Sequence, residues 1–210
     1  HPGIVQVLDF HEAEGLLCLE YMAGGSLAER PLPLPLPLCR RVLLQVLAAL
    51  SAAHARGVVH RDIKPENLFL TLTADVKLGD FGVAHLQDLA TTQTAGFVGT
   101  LAYMAPEQIS GAPLTFAADL YGLGVTAYQL VTGRLPFAGP DFVGQHLSEE
   151  PPPPRAVAPA LPPPWEALLL RALRKDPAER FPSVAAMLQA VEALPLPTTA
   201  APLSASDPSP

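Results

Sequence analysis

A chain of 210 residues with 49% hydrophobic and 16% charged residues has the length and composition of one globular core. Its net charge of −7 and pI near 5.3 exclude the concentrated basic surface that nucleic acid or an anionic membrane demands, so neither is an expected partner. Two cysteines, Cys18 and Cys39, are too few for a disulfide framework and are expected to be small buried apolar residues in a reducing compartment.

From the start of the chain, Ile4 to Phe10 and Leu16 to Met22 are apolar runs separated by a segment ending in Gly15, which predicts a β-hairpin. Ala23-Gly24-Gly25-Ser26 breaks the second strand. The alternating Pro-Leu run from Pro31 to Leu38 predicts an extended connection, because a proline inside a helix lacks its N–H and clashes with the preceding turn. A polyproline ligand is the weaker reading of a run set inside a folded domain. Val42, Leu43, Val46, Leu47, Leu50 and Ala53 share one helical face, which predicts a helix from Cys39 to Arg56 with Gly57 as its left-handed exit. Gln45, His54 and Arg56 interrupt the apolar run from Val42 to Val59, so no membrane span is expected. The chain opens on His1 with no charged leader or apolar signal core, so no targeting peptide is expected and an upstream start is.

Leu68-Phe69-Leu70 and Val76-Lys77-Leu78 predict a second hairpin, and a turn near residues 72–75 brings Asn67 and Asp80 together at its open end. Residues 86–99 are polar and threonine-rich and are expected to form a mobile loop. Thr115 to Thr132 predicts a buried helix with Thr115 as N-cap and Gly133 beyond its end. A shorter helix is expected over Asp141 to Ser148, ended by Pro151 to Pro154 and a proline-rich connection to Pro164. Helical spacing returns at Trp165, Leu168, Leu169, Ala172 and Leu173, and again at Val184, Met187, Leu188 and Val191 after the cap Ser183. Residues 195–210 are Pro, Ala, Ser and Thr-rich and too poor in apolar groups to offset the cost of ordering.

The chemistry concentrates in His60-Arg61-Asp62-Ile63-Lys64-Pro65-Glu66-Asn67 and, thirteen positions on, Asp80-Phe81-Gly82. Asp62, Asn67 and Asp80 are hard oxygen donors of the kind Mg²⁺ takes alongside phosphate, and Lys64 adds a positive charge beside Asp62. The first stretch resembles the catalytic loop of eukaryotic-type (Hanks-type) serine/threonine protein kinases, in a bacterial-like form, and the second resembles their metal-binding motif. Met104-Ala105-Pro106-Glu107 is similar to the motif that closes the family's activation segment. The resemblance implies an α+β, protein kinase-like fold, mainly the helical C-terminal lobe with the last strands of the small lobe. The implied division is residual small-lobe strands and hinge in 1–22, large lobe in 23–194 and a disordered tail in 195–210.

By that resemblance Asp62 orients the substrate hydroxyl and accepts its proton, while Lys64 touches the transferred phosphate and marks the serine/threonine branch. Asn67 and Asp80 hold Mg²⁺, or Mn²⁺ in its place, on the phosphates of ATP. Leu19 resembles the gatekeeper, the backbone at Glu20 and Met22 meets adenine, and Phe69 lies under the ring. Val7, His60 and Phe81 are expected to stack behind the site, Asp119 to brace the catalytic loop, and Thr100 to contact that loop near the substrate. Glu107 and Arg180 resemble a buried ion pair that anchors the activation segment. Thr92 and Thr94 resemble phosphorylated threonines whose phosphate pairs with Arg61. The implied partners are protein substrates bearing Ser or Thr and a second kinase copy for trans-autophosphorylation. The implied location is the cytoplasm, including the cytosolic part of a membrane-anchored kinase.

The sequence also departs from the family. It has no GxGxxG, and of its three lysines, Lys64, Lys77 and Lys175, none precedes the catalytic loop. Two readings follow. In the first the chain is the later part of an active kinase whose glycine-rich loop and strand lysine lie upstream, and the bare 210 residues are inactive. In the second it is a catalytically dead, kinase-like binding or scaffold module. The joint presence of Asp62, Lys64, Asn67 and Asp80 favours the first, since binding alone needs none of them together.

Overall fold

The structure, a computed structural model, describes residues 1–81 and 101–196. Strands β1 (Val7–His11) and β2 (Leu16–Leu19) pair antiparallel as the first hairpin. This hairpin is shorter than the sequence predicts because residues 3–5 leave it for another partner. Val5 N–H donates to the Leu78 carbonyl at 2.9 Å, and Leu78 N–H donates to the Gly3 carbonyl at 2.8 Å. Both faces of the hairpin are open, with Val7, Leu8, Phe10, Leu16, Leu17 and Leu19 all exposed. Cys18 sits there too, exposed and not buried as expected, because no element covers either face of β2 among the described residues. Cys39 is buried, and burial pushes its thiol up to about 12, which keeps it protonated and inert.

Helix α1 (Leu36–His54) starts three residues before Cys39, inside the Pro-Leu run that was expected to stay extended. Pro37 falls in its first turn, where the missing N–H has no intrahelical partner to lose, so proline is compatible there. The apolar face predicted from spacing is buried, with Val42, Leu43, Val46, Leu47 and Leu50 almost wholly removed from solvent. By length and a mean hydropathy of 1.4 this helix is apolar enough to cross a membrane, yet its buried face is used as the central wall of the core.

Strands β3 (Leu68–Leu70) and β4 (Val76–Leu78) form the second hairpin, in the register Leu68 opposite Leu78, and pack on α1. A short helix α2 (Pro106–Ile109) leads to α3 (Ala117–Thr132), the most buried helix, which ends at Gly133 with φ +76. Its N-cap is Phe116, one residue after the expected Thr115, although Thr115 Oγ1 accepts from Ala117 N–H at 3.3 Å. Helices α4 (Phe142–Ser148) and α5 (Pro154–Val157) follow, then α6 (Pro163–Ala172) and α7 (Val184–Glu192). Both α5 and α6 open on prolines, so the connection expected to run unstructured to Pro164 contains one helical turn and the start of the next helix. α3 approaches α6 so closely that a Cβ at Gly124 would lie 2.7 Å from that of Ala172. α7 lies along α1, with Ser183 Oγ accepting from Ala186 N–H at its start. The expected loop at 86–99 and the tail from residue 197 lie outside the described residues.

Candidate active site

The loop after α1 is held by α3. Asp119, buried in the first turn of α3, accepts the backbone N–H of His60 through Oδ2 at 2.9 Å and that of Arg61 through Oδ1 at 2.7 Å. His54, at the end of α1, meets the same Oδ2 through Nε2 at 2.7 Å, so one carboxylate joins two helices and the loop. Arg61 adopts φ +72, a left-handed conformation uncommon outside glycine that persists only where its surroundings over-determine it. The buried His60 ring sets its own tautomer. Its Nδ1 accepts from Asp62 N–H at 3.2 Å and its Nε2 faces the Gly79 carbonyl at 2.8 Å, so Nε2 carries the proton. Burial pushes the His60 pKa down, which agrees with a neutral ring.

Asp62 is 8% exposed and its Oδ2 is shared by two donors. Lys64 Nζ lies 2.8 Å away and Asn67 Nδ2 lies 2.9 Å away, and the same Nδ2 donates to the Asp62 carbonyl at 2.8 Å. With both amide protons of Asn67 spent on Asp62, its Oδ1 is the atom left to offer a cation. The second hairpin then places Asp80. Gly79 N–H donates to the Asn67 carbonyl at 3.0 Å, extending the β3–β4 register by one rung, and the exposed Asp80 follows at φ +58. Phe81 packs on His60 with ring centroids 4.5 Å apart, whereas Val7, expected in the same stack, is 55% exposed on the first hairpin.

A cleft of about 380 Å³ opens beside Asp80, lined by Leu19, Glu20, Met22 and Phe69 among others. A larger groove, about 640 Å³, lies elsewhere, against His54, Phe116 and Phe181; of the two only the smaller cleft is lined by Asp80, which makes it the candidate site. The Glu20 carboxylate is committed to the hinge. It accepts from Lys77 Nζ and from Gln6 N–H, and the Lys77 bond in particular holds its pKa below the usual carboxylate range.

Glu107 of α2 receives both terminal nitrogens of Arg180, at 2.6 and 2.8 Å, with both side chains buried. The guanidinium also donates to the carbonyls of Arg174, Lys175 and Ala117 and lies over the Tyr121 ring, so its charge is fully coordinated. Gly82, Thr92, Thr94 and Thr100 lie outside the described residues.

Several residues that shape the site were not singled out from sequence. His54 was counted only as a break in an apolar run, although it continues the buried face of Leu43, Leu47 and Leu50 and so had the spacing of an inward residue. Ser26 and Glu29 line the cleft as a cap, with Glu29 Oε1 accepting from Ser26 N–H at 2.9 Å and from Ser26 Oγ at 3.1 Å, and their three-residue spacing was legible. Thr126, whose Oγ1 donates to the Ile63 carbonyl, and Gln108, which reaches the Arg61 carbonyl, carry no local signal.

The family model described as the protein kinase domain matches residues 1–191. The chain belongs to the protein kinase family. It is 44% identical over 215 residues to serine/threonine-protein kinase pkn3 of Myxococcus xanthus, covering 91% of this chain and 39% of that protein. It is 45% identical over 204 residues to Pkn1 of the same organism, covering 91% and 29%, and 39% identical over 208 residues to PknA of Mycobacterium tuberculosis, covering 92% and 48%. The chain thus spans less than half the length of these curated relatives. Protein kinases as a family use ATP and Mg²⁺.

Proposed function

We propose that this chain carries the catalytic large lobe of a serine/threonine protein kinase, transferring the γ-phosphoryl group of ATP to Ser or Thr hydroxyls of proteins. The observation that carries the reading is the setting of Asp62, whose Oδ2 is held by Lys64 and Asn67 on a loop pinned by Asp119. A proton acceptor serves phosphoryl transfer only when it is positioned, and here the backbone on both sides of it is fixed.

Among the described residues no three His, Cys, Asp or Glu side chains gather as a metal cage. Asp80 lines the cleft, and Asn67 lies opposite Gly79 on the second hairpin with Oδ1 as its remaining donor atom; two hard oxygen donors of this kind fit Mg²⁺, with Mn²⁺ accepting the same ligands. The cation, when bound, supplies charge neutralisation to the phosphates. Asp62 orients the incoming hydroxyl and takes its proton, and Lys64 places positive charge beside it. Leu19, Met22 and Phe69 give adenine an apolar wall, with the backbone at Glu20 and Met22 as its polar edge.

Regulation belongs to the same proposal. Arg61 Nε is buried and without a hydrogen-bond partner among the described residues, which supports a phosphate at Thr92 or Thr94 as its partner. Such a phosphate adds about −1.5 to −2 charge. Thr100 is assigned to contact the catalytic loop near the substrate. Protein substrates, a second kinase copy acting in trans and a cytosolic setting complete the reading. The alternative is a catalytically dead, kinase-like binding or scaffold module.

Nucleotide binding separates the two. In the full-length gene product, ATP is expected to bind with Mg²⁺, and Asp80→Asn is expected to weaken that binding by at least roughly tenfold. Label from bound ATP is expected on Ser and Thr and not on Tyr. Binding indifferent to Mg²⁺ and to Asp80→Asn, with no transfer, would establish the module.

A further inference from the structure

The clamp on Arg61 has a second arm. Gln108, the third residue of α2, donates from Nε2 to the Arg61 carbonyl at 2.9 Å and accepts Ala105 N–H through Oε1 at 3.1 Å. The amide orientation follows from its neighbours, because Ala105 N–H needs an acceptor and the Arg61 carbonyl needs a donor. The Arg61 carbonyl and the Asp62 N–H are the two ends of one rigid peptide unit. Its N–H end is held by His60 Nδ1, and the preceding peptide is held by Asp119. The unit that carries Asp62 is therefore pinned at both ends, and one of the pins comes from α2. That helix is itself fixed, since the adjacent Glu107 is locked to Arg180.

We propose that Gln108 is a positioning residue for phosphoryl transfer, coupling the aim of Asp62 to the seating of the Ala105-Pro106-Glu107 segment. Gln108 touches neither nucleotide nor hydroxyl; it acts through the peptide that Asp62 sits on. The proposal rests on the kinase reading above. It makes the end of the activation segment a structural input to the catalytic loop, transmitted by a single side-chain amide.

Gln108→Glu in the full-length gene product tests it. As a carboxylate, Glu still accepts Ala105 N–H but presents an oxygen to the Arg61 carbonyl, and once protonated it donates there again. The expected result is a kcat roughly 10- to 100-fold below the parent near pH 8, with KM for ATP unchanged. The ratio of variant to parent kcat should then rise several-fold as pH falls from about 8 to about 6. Taking the ratio to the parent at each pH removes the pH dependence that the two proteins share. Gln108→Met, which loses both bonds, should show the deficit without the recovery. A ratio that stays flat with pH, or an unchanged kcat, overturns the proposal. If the parent transfers no phosphate, the kinase reading fails, and amide exchange decides the clamp separately. Gln108→Met should then speed exchange of the Asp62 N–H by roughly tenfold or more while the amides of α7 stay unchanged, and equal exchange at Asp62 would overturn it.

Discussion

The loop that carries Asp62 and the first hairpin are built in opposite ways. Around His60, Arg61 and Asp62 the backbone groups are met by Asp119, His60 Nδ1 and Gln108, and the supporting side chains are buried against α1 and α3. By contrast, β1 and β2 expose Val7, Leu8, Phe10, Leu16, Leu17 and Leu19 on an isolated two-stranded ladder. An isolated hairpin is marginal in water, whereas a loop tied to the core inherits the stability of that core. The helical core therefore holds Asp62 and Asn67 through its own packing, whereas the first hairpin has no such cover among the described residues.

That contrast can be broken at its strongest point first. Arg180→Met strands the buried Glu107 carboxylate and is expected to cost about 3–5 kcal/mol, read by denaturant unfolding. A cost below about 1 kcal/mol would mean that α2 is held by packing and not by the ion pair. Leu47→Ala, in the fully buried face of α1, is expected to cost about 2–5 kcal/mol. Leu17→Ala on the hairpin, at 54% exposure, is expected to stay within about 0.5 kcal/mol of the parent in the same experiment on the 210-residue chain. Equal costs at Leu47 and Leu17 would erase the distinction between the two regions.

The helices of the large lobe were legible because their apolar residues recur at helical spacing, and α7 was legible down to its cap, Ser183. The early start of α1 at Leu36, and of α6 at Pro163, was not. The rule against proline in a helix holds for its interior and lapses in the first turn, and sequence alone does not say where that turn falls. Cys18 was misread as buried because an apolar strand is expected to find a cover, and its hairpin has none among the described residues. The motif residues Asp62, Asn67 and Asp80 were legible as types, but their geometry depends on partners distant in sequence. Gln108 reaches Arg61 across 47 positions and His54 reaches Asp119 across 65, and no local pattern encodes either contact.

The most direct measurement is phosphoryl transfer by the full-length gene product with and without Asp62→Asn. Oδ2 of Asp62 already takes two donors, so an amide there loses the proton-accepting carboxylate and also turns its own donor group or its neighbours' bonds against the site. The account predicts transfer to Ser and Thr that falls roughly 10²- to 10⁴-fold in the variant while ATP still binds. Turnover by Asp62→Asn equal to that of the parent would contradict it.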